Sequence, residues 1–232
     1  MIIGSGLIAR AFEPFATQLD GACIYAAGVS NSSCVDPREF TREHLRVEKA
    51  LHDTMPDSLF VYFSTCSVAD PELQASAYVN HKRAMEGLAR MRPRHLILRL
   101  PQLAGRTPNP HTLLNFLYAR ITRSERFQVW SGACRNIIDV DDVARIVLDL
   151  LQSEHACGET VNVANGTSFP VAAIVASMEY VLGRRAVFDT IDRGDSYPID
   201  IRRIGAALQR CSIDFSPTYL RDVISKYYGP HA

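Results

Sequence analysis

Two hydrophobic periods alternate along the N-terminal half of the chain. Residues 59–64 form an unbroken apolar, β-branched and aromatic run that closes on a hydroxyl, which predicts a buried strand. Residues 22–27 and 95–100 read the same way, and 1–3 make a minimal strand. Helical stretches lie between them. One follows the glycines after Ile3 to about Phe15. A second runs from Pro37 to about His52, with Asp36 as N-cap, Pro37 at the first helical position and Glu39 three residues after the cap. Its stripe of Phe40, His44, Val47 and Leu51 predicts a core-facing side. A third spans 78–91. Strand, helix, strand, helix, strand, helix, strand implies a parallel sheet with crossover helices.

After Gly105 the pattern changes. Residues 112–121 predict a helix, 127–130 a short strand, and 142–152 a helix capped by Asp141 and Asp142. Strand 160–163, helix 171–182 ended by Gly183, strand 186–191 and a mostly helical tail over 201–228 complete the chain. No repeat or low-complexity segment interrupts it.

Ligands of parallel sheets sit at the carboxyl ends of the strands, and the chemistry-bearing loops fall there: 4–9, 28–33, 65–67 and 101–105. Gly4-Ser5-Gly6-Leu7-Ile8-Ala9 fits GxGxxA between a strand and a helix, where backbone can approach a pyrophosphate. Tyr78 and Lys82 are four apart and share one helical face. A phenol has a reference pKa of about 10, and a fixed ammonium nearby would lower it. Thr65 at a strand end can hold a carbonyl oxygen against that phenol, so the three suit proton transfer near neutral pH.

Composition narrows the classes. The chain has 232 residues, 47% of them apolar, which suits one domain or one domain with an appendage. Zero formal net charge gives no support for nucleic-acid binding, and no apolar run is long enough to span a membrane. The N-terminal stretch lacks a basic region and is broken by Arg10, so no signal peptide is expected. The six cysteines form no CxxC pair, and the seven histidines no HExxH; reduced thiols, no metal site and a cytoplasmic location are expected.

Taken jointly, several motifs resemble the extended short-chain dehydrogenase/reductases, in particular the NAD-dependent epimerase/dehydratase group acting on nucleotide sugars. They are the glycine motif, Ala26-Ala27-Gly28, Phe63-Ser64-Thr65 with Tyr78 and Lys82, Arg99-Leu100-Pro101 through Gly105, 135–143 and Val161-Asn162-Val163. The resemblance implies NAD or NADP bound by Gly4, Gly6, Leu7, Ile8, Ala26, Ala27, Gly28, Ser64, Tyr78, Lys82 and Pro101. It implies Tyr78 as the acid/base, Lys82 holding the nicotinamide ribose and lowering the Tyr78 pKa, and Thr65 on the substrate oxygen. Thr65, Gln102 and Arg135 would bind substrate, with Arg135 on its diphosphate; the alternative for Arg135 is an ion pair with Asp139 or Asp141.

The expected architecture is α/β: a truncated Rossmann-type parallel sheet in 1–105, and a small α+β substrate-binding part in 106–232 interleaved with that sheet. The truncation is a departure from the family. Only residues 10–21 separate the glycine motif from the Ala-Ala-Gly strand, so the usual second and third strands with their helices are missing. With them goes the acidic residue that grips the adenosine ribose, which leaves NAD and NADP both open. The direct crossover from strand 1–3 to strand 22–27 also conflicts with the right-handed rule, obeyed in about 98% of cases. Either this connection is an exception, or the first helix has changed face, or strand 22–27 pairs elsewhere.

The expected function is reduction of a keto-sugar on a nucleotide, with Tyr78 donating the proton. The alternatives are a nucleotide-sugar 4-epimerase and a non-catalytic NAD(P)-binding protein. Dehydration is disfavoured because Cys66-Ser67 stands where those enzymes carry an acid/base pair. A homodimer through helices 37–52 and 78–91 is a further expectation, as relatives often form one.

Overall fold

The computed structural model describes residues 1–152 and 156–230. Its centre is a five-stranded, all-parallel sheet in the order β1-β2-β3-β4-β8. The strands are β1 (Ile2–Ile3), β2 (Ala22–Tyr25), β3 (Leu59–Thr65), β4 (His95–Leu100) and β8 (Glu159–Asn162). The truncated Rossmann-like α/β architecture read from the sequence is the one observed. β3 is buried at every residue because helices cover both faces of the sheet, which accounts for its uninterrupted apolar run.

Side chains alternate across the sheet. Ile24, Val61, Phe63, Leu96 and Leu98 face α1 (Leu7–Phe12) and α5 (Val140–Leu151), where Phe12, Val143, Ile146 and Val147 close the larger core. Cys23, Tyr25, Phe60, Tyr62 and Ile97 face α2 (Pro37–Asp53) and α3 (Ala77–Arg90), meeting Val47, Ala50, Met85 and Ala89. The three possibilities for the first crossover are thereby resolved. β2 pairs directly and in parallel with β1, at Ile2–Ile24 and Ile3–Tyr25. The helix between them lies on the face opposite α2 and α3, although all three connections step across the sheet in the same direction. The first crossover therefore has the opposite hand to the next two and is the exception to the rule.

The remainder forms a second layer of structure against the sheet. β5 (Gln102–Ala104), β7 (Cys134–Asp139) and β9 (Ser168–Pro170) make a three-stranded sheet, and β6 (Phe127–Trp130) pairs in parallel with β10 (Phe188–Ile191). With α4 (Leu113–Thr122), α6 (Val171–Leu182) and α8 (Tyr219–Tyr228) they enclose a separate apolar core. The tail also holds a short α7 (Gly205–Arg210), and 211–218 between α7 and α8 is not helical.

Caps explain several boundaries. Asp36 accepts from the Arg38 N–H at 2.9 Å with Pro37 behind it, as expected. Helix α5 starts two residues before the expected point. Its cap is Asp139, which accepts from the Asp141 N–H at 2.9 Å, while Asp141 and Asp142 occupy the first turn. Gly183 ends α6 at φ 61°, in the left-handed region.

The α2 stripe is shifted from the expected one. Glu43, Val47 and Ala50 are the buried residues, while the His44 side chain is 43% exposed. A helix buries a carboxylate on its core side only when donors meet it there.

Candidate active site

The carboxyl ends of the parallel strands bring the expected residues to one edge of the sheet. Gly4 and Gly6 follow β1, Ala26 to Gly28 follow β2, Ser64 and Thr65 end β3, and Pro101 follows β4. Tyr78 opens α3 over the end of β3 and is 7% exposed. Gly4 has φ 131°, and a Cβ there would run into the Ala26 carbonyl. Gly6 is the N-cap of α1, carries no side-chain cap, and has nothing within 4 Å of its Cβ position. Bare backbone with open space in front of it is what the close approach of a pyrophosphate requires. Leu7 packs against Gly105 and Ile8 against the main core, each remaining partly exposed.

Lys82 is 3% exposed, with its Nζ 5.9 Å from the centre of the Tyr78 ring. Its partners were not foreseen. Nζ donates to Glu43 Oε1 at 3.0 Å and to the Tyr62 hydroxyl at 3.2 Å. Glu43, 1% exposed, accepts three further bonds: from the Tyr62 hydroxyl at 2.7 Å, the Val29 N–H at 2.6 Å and His81 Nε2 at 3.0 Å. Gly28 is explained by the same cluster. A Cβ there would sit 2.7 Å from Lys82 Nζ and 2.8 Å from Glu43 Oε1.

A second buried carboxylate, Glu86, lies further along α3. It accepts from the Ser64 hydroxyl at 2.7 Å and from Arg99 twice, each at 2.8 Å. The Ser64 hydroxyl is thus turned toward α3.

These contacts set the charges. Burial pushes the Glu43 carboxyl up, but His81, the Lys82 ammonium, the Val29 N–H and Tyr62 outweigh it and bring it down to about 2. Burial lowers Lys82, and Glu43 partly restores it. Tyr78 is pushed well above the ordinary phenol value, first by burial and then by the Glu43 charge, while Thr65 beside it pulls downward. The resemblance implied that Lys82 lowers Tyr78. Here the Lys82 ammonium is paired with the Glu43 carboxylate, whose charge raises the phenol.

On the substrate side, Gln102 begins β5 and is partly exposed. Arg135 forms none of the ion pairs found among the described residues, and its guanidinium donates to the Cys134 carbonyl at 2.8 Å. Asp139 and Asp141 are taken instead by Lys226, at 2.7 Å each, and by Tyr227. The ion-pair alternative for Arg135 does not form. Tyr197, not singled out in the sequence, reaches the loop after β3 from the 192–200 segment. Burial and the neighbouring Cys66 push its phenol up to about 12, while Ser67 and Arg135 lower it. Cys66 itself is buried, its thiol donating to the Arg99 carbonyl at 3.3 Å. A groove of about 580 Å³, lined by Gly28, Ser30, Asp36, Asn109 and His111, adjoins the Glu43 cluster. Asn109 Nδ2 bridges to the Ser30 hydroxyl at 3.1 Å across it.

All six cysteines are free, and among the described residues no group of His, Cys, Asp and Glu could hold a metal ion. No helix among them is long and apolar enough to cross a membrane.

The fold is shared with known proteins. No curated protein matches the sequence. The structure is similar to RMD from Pseudomonas aeruginosa complexed with NADPH, at 17% identity and TM-score 0.72, covering 97% of this chain and 96% of that one. It is similar to UDP-glucuronic acid 4-epimerase from Bacillus cereus in complex with UDP-glucuronic acid and NAD, at 19% identity and TM-score 0.71, covering 90% and 74%. It is similar to dTDP-glucose 4,6-dehydratase from Bacillus anthracis in complex with NAD, at 14% identity and TM-score 0.68, covering 95% and 77%. The sequence profile of the NAD dependent epimerase/dehydratase family matches residues 9–164, and the chain therefore belongs to that family of short-chain dehydrogenase/reductase-type enzymes.

Proposed function

We propose that the protein reduces a keto group on a nucleotide-linked sugar, with NADH or NADPH as reductant and Tyr78 as proton donor. The observation that carries this reading is the grouping of Thr65, at the end of β3, with Tyr78 and Lys82 on α3 beside it, on the same edge of the sheet as the open Gly6 turn. A nucleotide sugar as substrate is supported by the similarity to proteins solved with UDP-glucuronic acid.

Gly4, Gly6 and the N–H groups of Leu7 and Ile8 would hold the pyrophosphate, while Ala26, Ala27, Gly28, Ser64 and Pro101 would flank the cofactor. When bound, the reduced nicotinamide supplies a hydride to the carbonyl carbon. Thr65 donates to the carbonyl oxygen and fixes it against the phenol. Tyr78 gives its proton to that oxygen as it becomes an alcohol, and solvent reprotonates the phenolate. Lys82 holds the ribose edge, Gln102 borders the sugar, and Arg135 offers the remaining donors of its guanidinium to the diphosphate.

The test is oxidation of NADH or NADPH in proportion to keto-sugar nucleotide consumed. Tyr78→Phe is expected to lower kcat/KM about 10²- to 10⁴-fold. Interconversion of sugar isomers without net cofactor change would identify a 4-epimerase instead. Cofactor binding without turnover, indifferent to Tyr78→Phe, would identify a binding protein.

A further inference from the structure

The Glu43 carboxylate is 1% exposed and takes four hydrogen bonds, and the reaction outlined above gives Glu43 itself no part. Glu43 enters from α2, Tyr62 from β3, His81 and Lys82 from α3, and Val29 from the loop after β2. The Tyr25 hydroxyl of β2 meets the Glu43 carbonyl at 3.4 Å. Arg42 and Arg46 of α2 act on Tyr25, and Glu86 of α3 acts on Lys82. Thr65 is the other polar side chain acting on Tyr78. A carboxylate with this many fixed donors stays ionised across the neutral range. It cancels the ammonium that would otherwise stabilise a phenolate at Tyr78.

On the reading that Tyr78 is the proton-transfer group, we infer that Glu43 is a positioning residue that keeps Tyr78 a phenol, the form from which carbonyl reduction starts. Alcohol oxidation and 4-epimerisation both begin with removal of a hydroxyl proton, so they start from the phenolate. Glu43 leaves the overall equilibrium untouched. It sets which fraction of the enzyme is poised for each direction at a given pH.

The native protein supplies the first test, in the presence of saturating cofactor. Reductive kcat/KM is expected to stay flat from about pH 6 to about pH 9, while the oxidative rate climbs about tenfold per pH unit without a plateau. A plateau in the oxidative profile below about pH 8, absent from Tyr78→Phe, would overturn the inference. Glu43→Gln supplies the second. Its reductive profile is expected to bend downward at least about one pH unit below any bend in the native one. Superimposable profiles for native and Glu43→Gln would also overturn it.

The third readout needs no turnover. The tyrosinate difference spectrum between each protein and its Tyr78→Phe counterpart is expected to show Tyr78 ionising earlier in Glu43→Gln than in native. An unchanged titration counts against the inference. If Glu43→Gln does not fold, the native profiles still decide. Failure of the reductase reading looks different: no Tyr78-dependent turnover of any keto-sugar nucleotide, whatever the tyrosinate titration shows.

Discussion

The two faces of the central sheet hold the same strands by different means. On the α1 and α5 side, Phe12, Phe63, Leu98, Val143, Ile146 and Val147 pack into an apolar core, and the buried carboxylate Asp139 stands only at its margin, capping α5. On the α2 and α3 side, apolar contacts surround two buried carboxylates, Glu43 and Glu86, each met by cations and hydroxyls. Burial of apolar surface is non-directional and tolerates small shifts. A buried ion pair gives little net stability against an apolar substitute but costs heavily when half of it is removed. The polar face is also the one that carries Tyr78 and Lys82. The difference teaches that one side of the sheet holds the fold, whereas the other fixes charges at set positions beside the cleft.

That contrast can be broken from either side. Lys82→Met strands the Glu43 carboxylate, and a loss of about 3–5 kcal/mol is expected in urea unfolding, together with loss of activity. An unchanged midpoint would show that the pair carries no structural weight. Ile146→Ala, on the apolar face, is expected to cost about 2–5 kcal/mol, with kcat/KM of the folded protein unchanged. A shifted pH profile in that variant would erase the distinction between the faces.

Acid sharpens it. The Glu43 carboxyl lies at about 2 in the folded chain against an ordinary 4.5, so its contribution is fully present above the ordinary value. It is lost as pH falls from 4.5 toward 2, by on the order of 2–3 kcal/mol. Glu43→Gln should therefore show a shallower fall in unfolding free energy over that window, while Ile146→Ala keeps the native slope. The smallest effect is expected at Lys49, whose pair with Asp53 on α2 leaves the two side chains 76% and 46% exposed. Lys49→Ala should barely move the unfolding midpoint, since exposed pairs contribute little.

The alternation of strands and helices was legible because each period repeats over many residues. The Gly4–Gly6 turn, Thr65, Tyr78 and Lys82 were legible because short local patterns carry them. Glu43 was not. It sits one residue from His44, and a glutamate on an amphipathic helix ordinarily faces solvent, so nothing local marks it as buried. The usable clue was Gly28, whose missing side chain makes room for the Glu43–Lys82 pair. Tyr197 was hidden for another reason. Its segment follows β10, which pairs with β6 across nearly sixty intervening residues, and no sequence period reports such a distance. The hand of the first crossover was equally invisible, because it depends on which face the first helix takes rather than on its residues.

The shortness of β1 has a consequence for ligand affinity. Ile2 and Ile3 are its only ladder positions, so the strand leading into the glycine turn is held by one neighbour over two residues. Local opening there should exchange amide hydrogens far faster than β3 does. A dinucleotide seated on the turn would bind the closed form alone, slowing that exchange in proportion to its concentration over Kd. Part of the binding free energy would go into ordering the edge, which makes the cofactor a fastener of this end of the sheet as well as a reagent.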